Sequence, residues 1–194
     1  MAKRAKKRAV AAAESSSRTT LYLVVGAVAV GVVGLAVLLI LNMRGEGPIR
    51  GLVTFPRLAR DHDNTLVFAA SELPPAGGPH YDTWANCGIY DEPVDTGHAL
   101  HSLEHGAVWM TYPPDLPADE VAVLQGVAEP EPYVLLSPYE GQRSTVVMTA
   151  WGLQLELDSV NDDRIGDFIE QYQLGPQTPE RGATCRDGAG VPMN

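Results

Sequence analysis

Lysine is almost absent from this sequence of 194 residues, and its three copies all lie within the first seven positions. The first twenty residues carry six basic residues and one acid, a charge of +5, so the rest of a chain whose total is −10 has a charge of −15. Nucleic-acid binding needs a basic surface that neutralises phosphates. We therefore exclude a nucleic-acid partner and expect an acidic, soluble domain that attracts cations.

Cysteine is equally scarce, with single copies at Cys87 and Cys185. The absence of a C-x-x-C pair argues against thiol–disulfide exchange as the activity. A disulfide between the two would close a loop of about a hundred residues and stabilise the fold by roughly 4 kcal/mol in the chain-entropy model. In the alternative, Cys87 is a thiolate ligand seven residues after His80, which would favour copper or zinc. The disulfide is the favoured interpretation.

One long hydrophobic run is present, "LYLVVGAVAVGVVGLAVLLIL", with 21 uncharged residues. It is long enough to cross a hydrocarbon core of about 30 Å, and it lacks the small-residue cleavage site of a signal peptide. We predict a cytoplasmic basic disordered tail over 1–20, a transmembrane helix over 21–43 and a linker over 44–51. The basic N-terminus favours a single-pass protein of the cell membrane with its domain outside the cytoplasm, where a membrane protein partner is conceivable.

The extracytoplasmic domain is predicted over 52–175, followed by a C-terminal tail over 176–194. Helical spacing and acidic first turns predict helices over 117–127 and 161–174. β-branched and aromatic residues between Pro and Gly borders predict strands at 65–70, 107–112, 132–137, 145–151 and 153–157. The expected fold is α+β, with a mostly antiparallel sheet covered by two helices and a thioredoxin-like order in its C-terminal half. Trp109 and Trp151 are expected in its core.

Residues 74–106 form a Pro- and Gly-rich stretch that contains four of the five histidines. A segment of this length without regular structure is uncommon unless it is functional. Within it, "HSLEH" has the H-x-x-E-H spacing of a zinc peptidase, in which His101 and His105 would bind the ion and Glu104 would act as general base. The short helix and the missing second acidic motif favour a Glu104 that orients a neighbouring imidazole or arginine instead. His62 is expected at the surface.

Two segments, "PPAGGPHYDTWANCGIYDEPV" and "HSLEHGAVWMTYPPDL", resemble domain-of-unknown-function family 3105 over roughly residues 60–174. The resemblance implies an extracytoplasmic domain anchored by one N-terminal helix, and it supplies no activity. Ala76 departs from the serine that the family often has in its turn. The residues that it points to are Pro74, Pro75, Gly78, His80, Trp84, Cys87, Gly88, Tyr90, His101, Glu104, His105 and Gly106.

The predicted site is a non-catalytic metal centre in which His80, His101 and His105 converge beside Cys87. Imidazoles with a possible sulfur ligand suit copper or zinc, and copper is preferred. Glu104, Tyr90 and Trp84 are expected to surround these ligands. Two other functions stay open, namely an accessory subunit of a membrane complex that binds no metal and a zinc-dependent hydrolase.

The predicted topology can be tested by adding protease to intact cells that carry an epitope tag at each end of the chain. We expect the C-terminal tag to be lost with the acidic domain while the N-terminal tag survives on a short fragment, because the membrane shields the tail. Permeabilised cells, in which both tags should disappear, serve as the control. Protection of the whole chain in intact cells would contradict the orientation.

Overall fold

The computed structural model describes residues 25–26, 28–37, 48–69 and 71–193, which belong to two units divided after Gly47. In the first unit, residues 25–26 and 28–37 are helical. Over the described ranges, no helix is long and apolar enough to cross a membrane. The predicted tail over 1–20 and the ends of the predicted transmembrane helix over 21–43 lie outside these ranges, so both stay predictions.

The described residues of the second unit form a mixed sheet of six strands and three helices, which confirms the α+β class. The strands are β1 (Val53–Thr54), β2 (Gly88–Ile89), β3 (Val108–Tyr112), β4 (Val134–Pro138), β5 (Val146–Ala150) and β6 (Leu153–Leu157). The helices are α1 (Thr96–His105), α2 (Ala118–Ala128) and α3 (Arg164–Tyr172).

The strand order in the sheet is β1-β6-β5-β3-β4-β2. The pairings of β1 with β6, β6 with β5 and β5 with β3 are antiparallel, whereas β3–β4 and β4–β2 are parallel. Strands β3 and β4 can be parallel because α2 connects them, since parallel neighbours in a sheet require a crossover connection. The sheet is therefore mostly antiparallel, as predicted.

Strands β3 to β6 and helices α2 and α3 lie within a few residues of their predicted positions. The predicted strand over 65–70 is wrong, since its described residues form no strand and Val67 is 92% exposed. The segment begins with a turn in which the Thr65 backbone N–H and hydroxyl donate to Asp63 Oδ1. The Leu66 carbonyl then accepts a bond from the Tyr81 hydroxyl, so this part of the chain is fastened to a loop instead of the sheet.

The two faces of the sheet bury different sets of residues because successive side chains along a strand point to opposite faces. On one face, Val108 and Met110 pack with alternate residues of β4 to β6 against α2 and α3. On the other, Trp109 and Trp151 pack against α1, and the burial of both tryptophans confirms their predicted place in the core.

Helix α1 has well-defined ends. The Asp95 side chain caps its N-terminus by accepting a hydrogen bond from the Gly97 backbone N–H. At its C-terminus Gly106 has a φ of 112°, a left-handed conformation that glycine adopts without a steric penalty. These ends fix the helix at ten residues, of which eight are buried.

The predicted disulfide between Cys87 and Cys185 is confirmed, with a Cα–Cα distance of 5.3 Å. It fastens the C-terminal segment, which also bonds to the loop before β2. The Asn86 backbone N–H donates to the Ala189 carbonyl, and the Trp84 ring N–H donates to the Arg186 carbonyl. Residues 176–193 therefore pack against the domain.

Replacing both cysteines with serine is expected to lower the free energy of unfolding by about 2–5 kcal/mol, because the unfolded chain regains the entropy of a large loop. Urea unfolding of the oxidised protein and of the Cys87→Ser/Cys185→Ser variant measures this difference. A reductant should destabilise the wild type and leave the variant unchanged. Equal unfolding midpoints for the oxidised protein and the variant would contradict a stabilising role.

Candidate metal centre

The polar face of α1 carries His101, Glu104 and His105, and all three side chains are buried. Positions three and four residues apart lie on the same face of a helix, so the sequence spacing brings these groups together. The loop before α1 and the C-terminal segment after α3 cover this face. The site thus lies between a helix and two irregular segments.

His80 reaches the site from the turn that precedes it, in which Gly77 and Gly78 have φ values of 133° and 115°. Its backbone forms an isolated parallel bridge with His62. The Asp63 N–H donates to the His80 carbonyl, and the His80 N–H donates to the Asp61 carbonyl. This bridge places the His62 ring beside the other histidines, with its centroid 4.8 Å from that of His80 and 4.7 Å from that of His101.

Three histidines of the site share one orientation, in which Nδ1 lies against a backbone carbonyl. The distances are 2.8 Å from His80 to Gly78 O, 2.7 Å from His101 to Tyr81 O and 2.6 Å from His105 to Thr184 O. A carbonyl oxygen can only accept, so each Nδ1 is the donor and carries a proton. Each neutral ring therefore keeps its free lone pair on Nε2. Metal-binding histidines in proteins are commonly held by a bond of this kind.

The side chains form two groups whose candidate ligand atoms lie within 4.8 Å of one another. The inner cluster consists of His62, His80, His101 and Glu104. The outer cluster consists of His101, His105 and Glu180. His101 belongs to both clusters, and the His101 and His105 ring centroids are 4.6 Å apart.

The inner cluster contains a buried contact that needs a positive charge. His80 Nε2 lies 2.9 Å from Glu104 Oε2, and among the described residues neither atom has a hydrogen-bond donor. With His80 Nδ1 donating to Gly78, a neutral ring turns its Nε2 lone pair toward a carboxylate oxygen. Two acceptors at this distance repel unless a proton or a cation lies between them. The same Glu104 oxygen is 3.6 Å from His62 Nε2.

The surroundings of His101 disfavour its protonated form. Burial lowers the pKa of His101 to about 4, and repulsion from His105, His80 and His62 acts in the same direction. The bond to the Tyr81 carbonyl opposes these effects without cancelling them. His101 is consequently neutral at physiological pH, the state in which an imidazole binds a metal ion.

The structure brings together part of the predicted site. His80, His101 and Glu104 share the inner cluster, whereas His105 points Nε2 toward Glu180 at 3.7 Å. Cys87 is a correction to the ligand set, because its sulfur is bonded to Cys185 and offers no thiolate.

The two predicted aromatic neighbours differ in their position. The Trp84 ring centroid lies 4.9 Å from that of His105 and 5.7 Å from that of His101, so it lines the site. Tyr90 donates its hydroxyl to the Asn86 carbonyl, and burial raises its pKa to about 12. Tyr90 thus bonds to the loop before β2 and packs in the core on the face of the sheet that α1 covers.

Two members of the clusters were missed by sequence reasoning. His62 is at the surface as expected, with its side chain 41% exposed, but its ring also stacks on His101, which was not predicted. Glu180 lies in the C-terminal segment, which showed no pattern that connects it with a histidine. A histidine flanked by two aspartates, as in "RDHDN", is the only local signal that pointed to His62.

A family model described as "Protein of unknown function (DUF3105)" matches residues 63–187, which is more than half of the chain. The matched region contains both cysteines and every member of the two clusters except His62, which precedes it by one residue. No curated protein and no solved structure matches the chain. The thioredoxin-like order of the C-terminal half therefore stays a prediction.

The lowered pKa of His101 predicts how the stability of the metal-free protein depends on pH. An unfolded histidine binds a proton below a pKa of about 6.5, and the folded His101 does so only near 4. Stability from this group is therefore complete above pH ~6.5 and is lost as the pH falls toward 4, by an amount on the order of 3 kcal/mol.

Urea unfolding at several pH values measures this loss. The His101→Asn variant should show a smaller decrease between pH ~6.5 and 4, because it has no titrating ring while its amide N–H can replace Nδ1 as donor to Tyr81. His98→Ala, which changes a histidine outside both clusters, is the control for the loss of a histidine side chain. Equal slopes for His101→Asn and the wild type would contradict the account.

Proposed function

This chain belongs to the DUF3105 family, whose description assigns no activity, and we propose from its site that the domain binds one copper(II) or zinc(II) ion. The inner cluster of His62, His80, His101 and Glu104 holds the ion. The single observation that carries the proposal is the buried 2.9 Å contact between His80 Nε2 and Glu104 Oε2. A divalent cation between these atoms satisfies both when metal is bound, and a shared proton does so in the metal-free protein, as an unpaired polar group in the interior requires.

The distances are compatible with ordinary metal–ligand bonds. Two donors 2.9 Å apart can both lie about 2.1 Å from one ion if they subtend an angle near 90°. For the 3.6 Å separation of His62 Nε2 from Glu104 Oε2, the corresponding angle at the ion is about 120°. Donors on opposite sides of an ion are about 4.2 Å apart. The most widely separated candidate ligand atoms lie within 4.8 Å of each other, so they reach about 4.2 Å if the side chains move by about half an ångström.

The donor set favours particular metals. Imidazole nitrogens suit zinc and copper, whereas magnesium and calcium prefer oxygen ligands. Because Cys87 is held in the disulfide, the site lacks the thiolate that would favour copper(I). Copper(II) exceeds zinc(II) in general affinity for such sites, so copper(II) is our preferred ion. The acidic surface of the domain raises the local concentration of either cation.

The position of Glu104 favours binding over peptide hydrolysis. In an H-x-x-E-H peptidase both histidines bind one ion and the glutamate activates a water. Here Glu104 is buried against His80 and groups with the His101 side of the motif, while His105 faces Glu180. A carboxylate in this position is a ligand or orients an imidazole, which supports a binding module.

The proposal includes a location outside the cytoplasm. The apolar run over 21–43 would anchor the chain in the cell membrane with the basic tail inside. The Cys87–Cys185 disulfide supports this location, because disulfides persist in oxidising compartments and are rare in the cytosol. A protein partner could then meet the domain at the membrane surface.

Metal binding can be tested on the purified full-length chain by titration with copper(II) and by elemental analysis. We expect one bound ion, and at least a tenfold loss of affinity in His62→Ala and in Glu104→Gln, because each removes a ligand without removing buried volume that the core requires. Glu104→Gln is nearly isosteric and His62 is partly exposed, so both variants should fold.

His98→Ala is the matched control. His98 also places Nδ1 against a carbonyl, that of Thr83 at 2.6 Å, but belongs to neither cluster. It should bind copper(II) as the wild type does. A wild-type protein that binds neither copper(II) nor zinc(II) would refute the proposed function, and equal affinities for His62→Ala and His98→Ala would remove the inner cluster from it.

A further inference from the structure

The outer cluster has the chemistry of a second metal position. His101 and His105 contribute buried imidazoles whose Nδ1 atoms both donate to carbonyls, so both rings offer Nε2. Glu180 contributes a carboxylate oxygen 3.7 Å from His105 Nε2, and its side chain is 52% exposed. Two nitrogens and one carboxylate oxygen are a common ligand set for zinc and copper.

The C-terminal segment is held in place to build this position. The Glu180 N–H donates to the Glu104 carbonyl, and the Gly182 N–H donates to the His105 carbonyl. These carbonyls lie at the end of α1, where a helix leaves carbonyl groups without partners of its own. The same segment supplies the Thr184 carbonyl that orients His105, one residue before the disulfide-bonded Cys185. Glu180 is therefore fixed beside the histidines by its backbone.

The two clusters compete for one nitrogen atom. His101 is common to both, and its Nδ1 is engaged with the Tyr81 carbonyl at 2.7 Å. Only Nε2 can bind a metal, so the ring cannot bridge two ions. Two divalent cations within a few ångströms would also repel strongly, since the two clusters of described residues contain two carboxylates, Glu104 and Glu180.

We propose that the two clusters are alternative positions of a single divalent ion, copper(II) or zinc(II), which moves between them by exchange of ligands around His101. In the inner position the ion is held by His62, His80, His101 and Glu104; in the outer position it is held by His101, His105 and Glu180. The inference rests on the proposed function and adds that the site transfers its ion. The partly exposed Glu180 makes the outer position the one from which an acceptor would take the ion.

The test compares the effect of Glu180→Gln in two backgrounds of the full-length chain, with copper(II) as the probe and a competing chelator to measure affinity. One background is otherwise wild type. The other is His62→Ala/Glu104→Gln, which removes two ligands of the inner position and none of the outer position. Glu170→Gln, which neutralises an exposed acid on α3, is the matched control in both backgrounds.

We expect the loss of affinity caused by Glu180→Gln to be at least tenfold larger in the depleted background, because there the ion depends on the outer position. Electron paramagnetic resonance of bound copper(II) should change its nitrogen couplings between the two backgrounds and respond to Glu180→Gln mainly in the depleted one. Glu170→Gln should cause no such difference. If the depleted variant does not fold, His62→Ala alone replaces it as the background.

Three results would overturn the inference. First, equal and measurable losses of affinity in both backgrounds would mean that Glu180 and the inner ligands hold one ion together. Second, no loss of affinity in either background would mean that Glu180 is not a ligand. Two copper(II) ions bound per wild-type chain would show independent sites. Absence of copper(II) and zinc(II) binding in the wild type is a different result, since it removes the proposed function itself.

Discussion

Burial of the polar face of α1 is the constraint on which the surrounding structure depends. A buried polar group requires a partner, and this helix buries a serine, two histidines and a glutamate. Ser102 Oγ donates to the Ala85 carbonyl and accepts from the Ala85 N–H, while His101 bonds to the Tyr81 carbonyl. The loop before the helix thus takes its path because its backbone satisfies the helix side chains.

The same requirement explains the C-terminal segment. Its Thr184 carbonyl accepts a hydrogen bond from His105, and its own N–H groups donate to the last carbonyls of α1. The disulfide between Cys87 and Cys185 links this segment to the loop, so both covers of the helix are joined covalently. Glu104 is the exception in this network, because its buried Oε2 faces the Nε2 atom of His80 and not a donor. That exception is the reason for assigning a cation to the site.

The sequence predicted the features that depend on local patterns. Four strands and two helices follow from periodicity and turn chemistry, and the disulfide follows from a count of two cysteines. Non-local pairings escaped prediction. The segment "TLVFAA" has the composition of a strand but does not join the sheet. The edges of the sheet are occupied by β1 and β2, and composition does not show this. His62 and Glu180 reach the site through backbone bonds to distant residues, which leave no sequence pattern.

The central claim is that backbone carbonyls hold the proton of His80, His101 and His105 on Nδ1 and so leave Nε2 free for a metal ion. Long-range proton–nitrogen correlation spectra of the metal-free protein at neutral pH report the tautomer of each histidine directly. The account predicts that His101 is neutral and that the Nδ1 atoms of His101 and His105 both carry a proton. Protons on Nε2 of these rings would contradict it, because the nitrogens that face one another in the two clusters would then be donors with no lone pair for an ion.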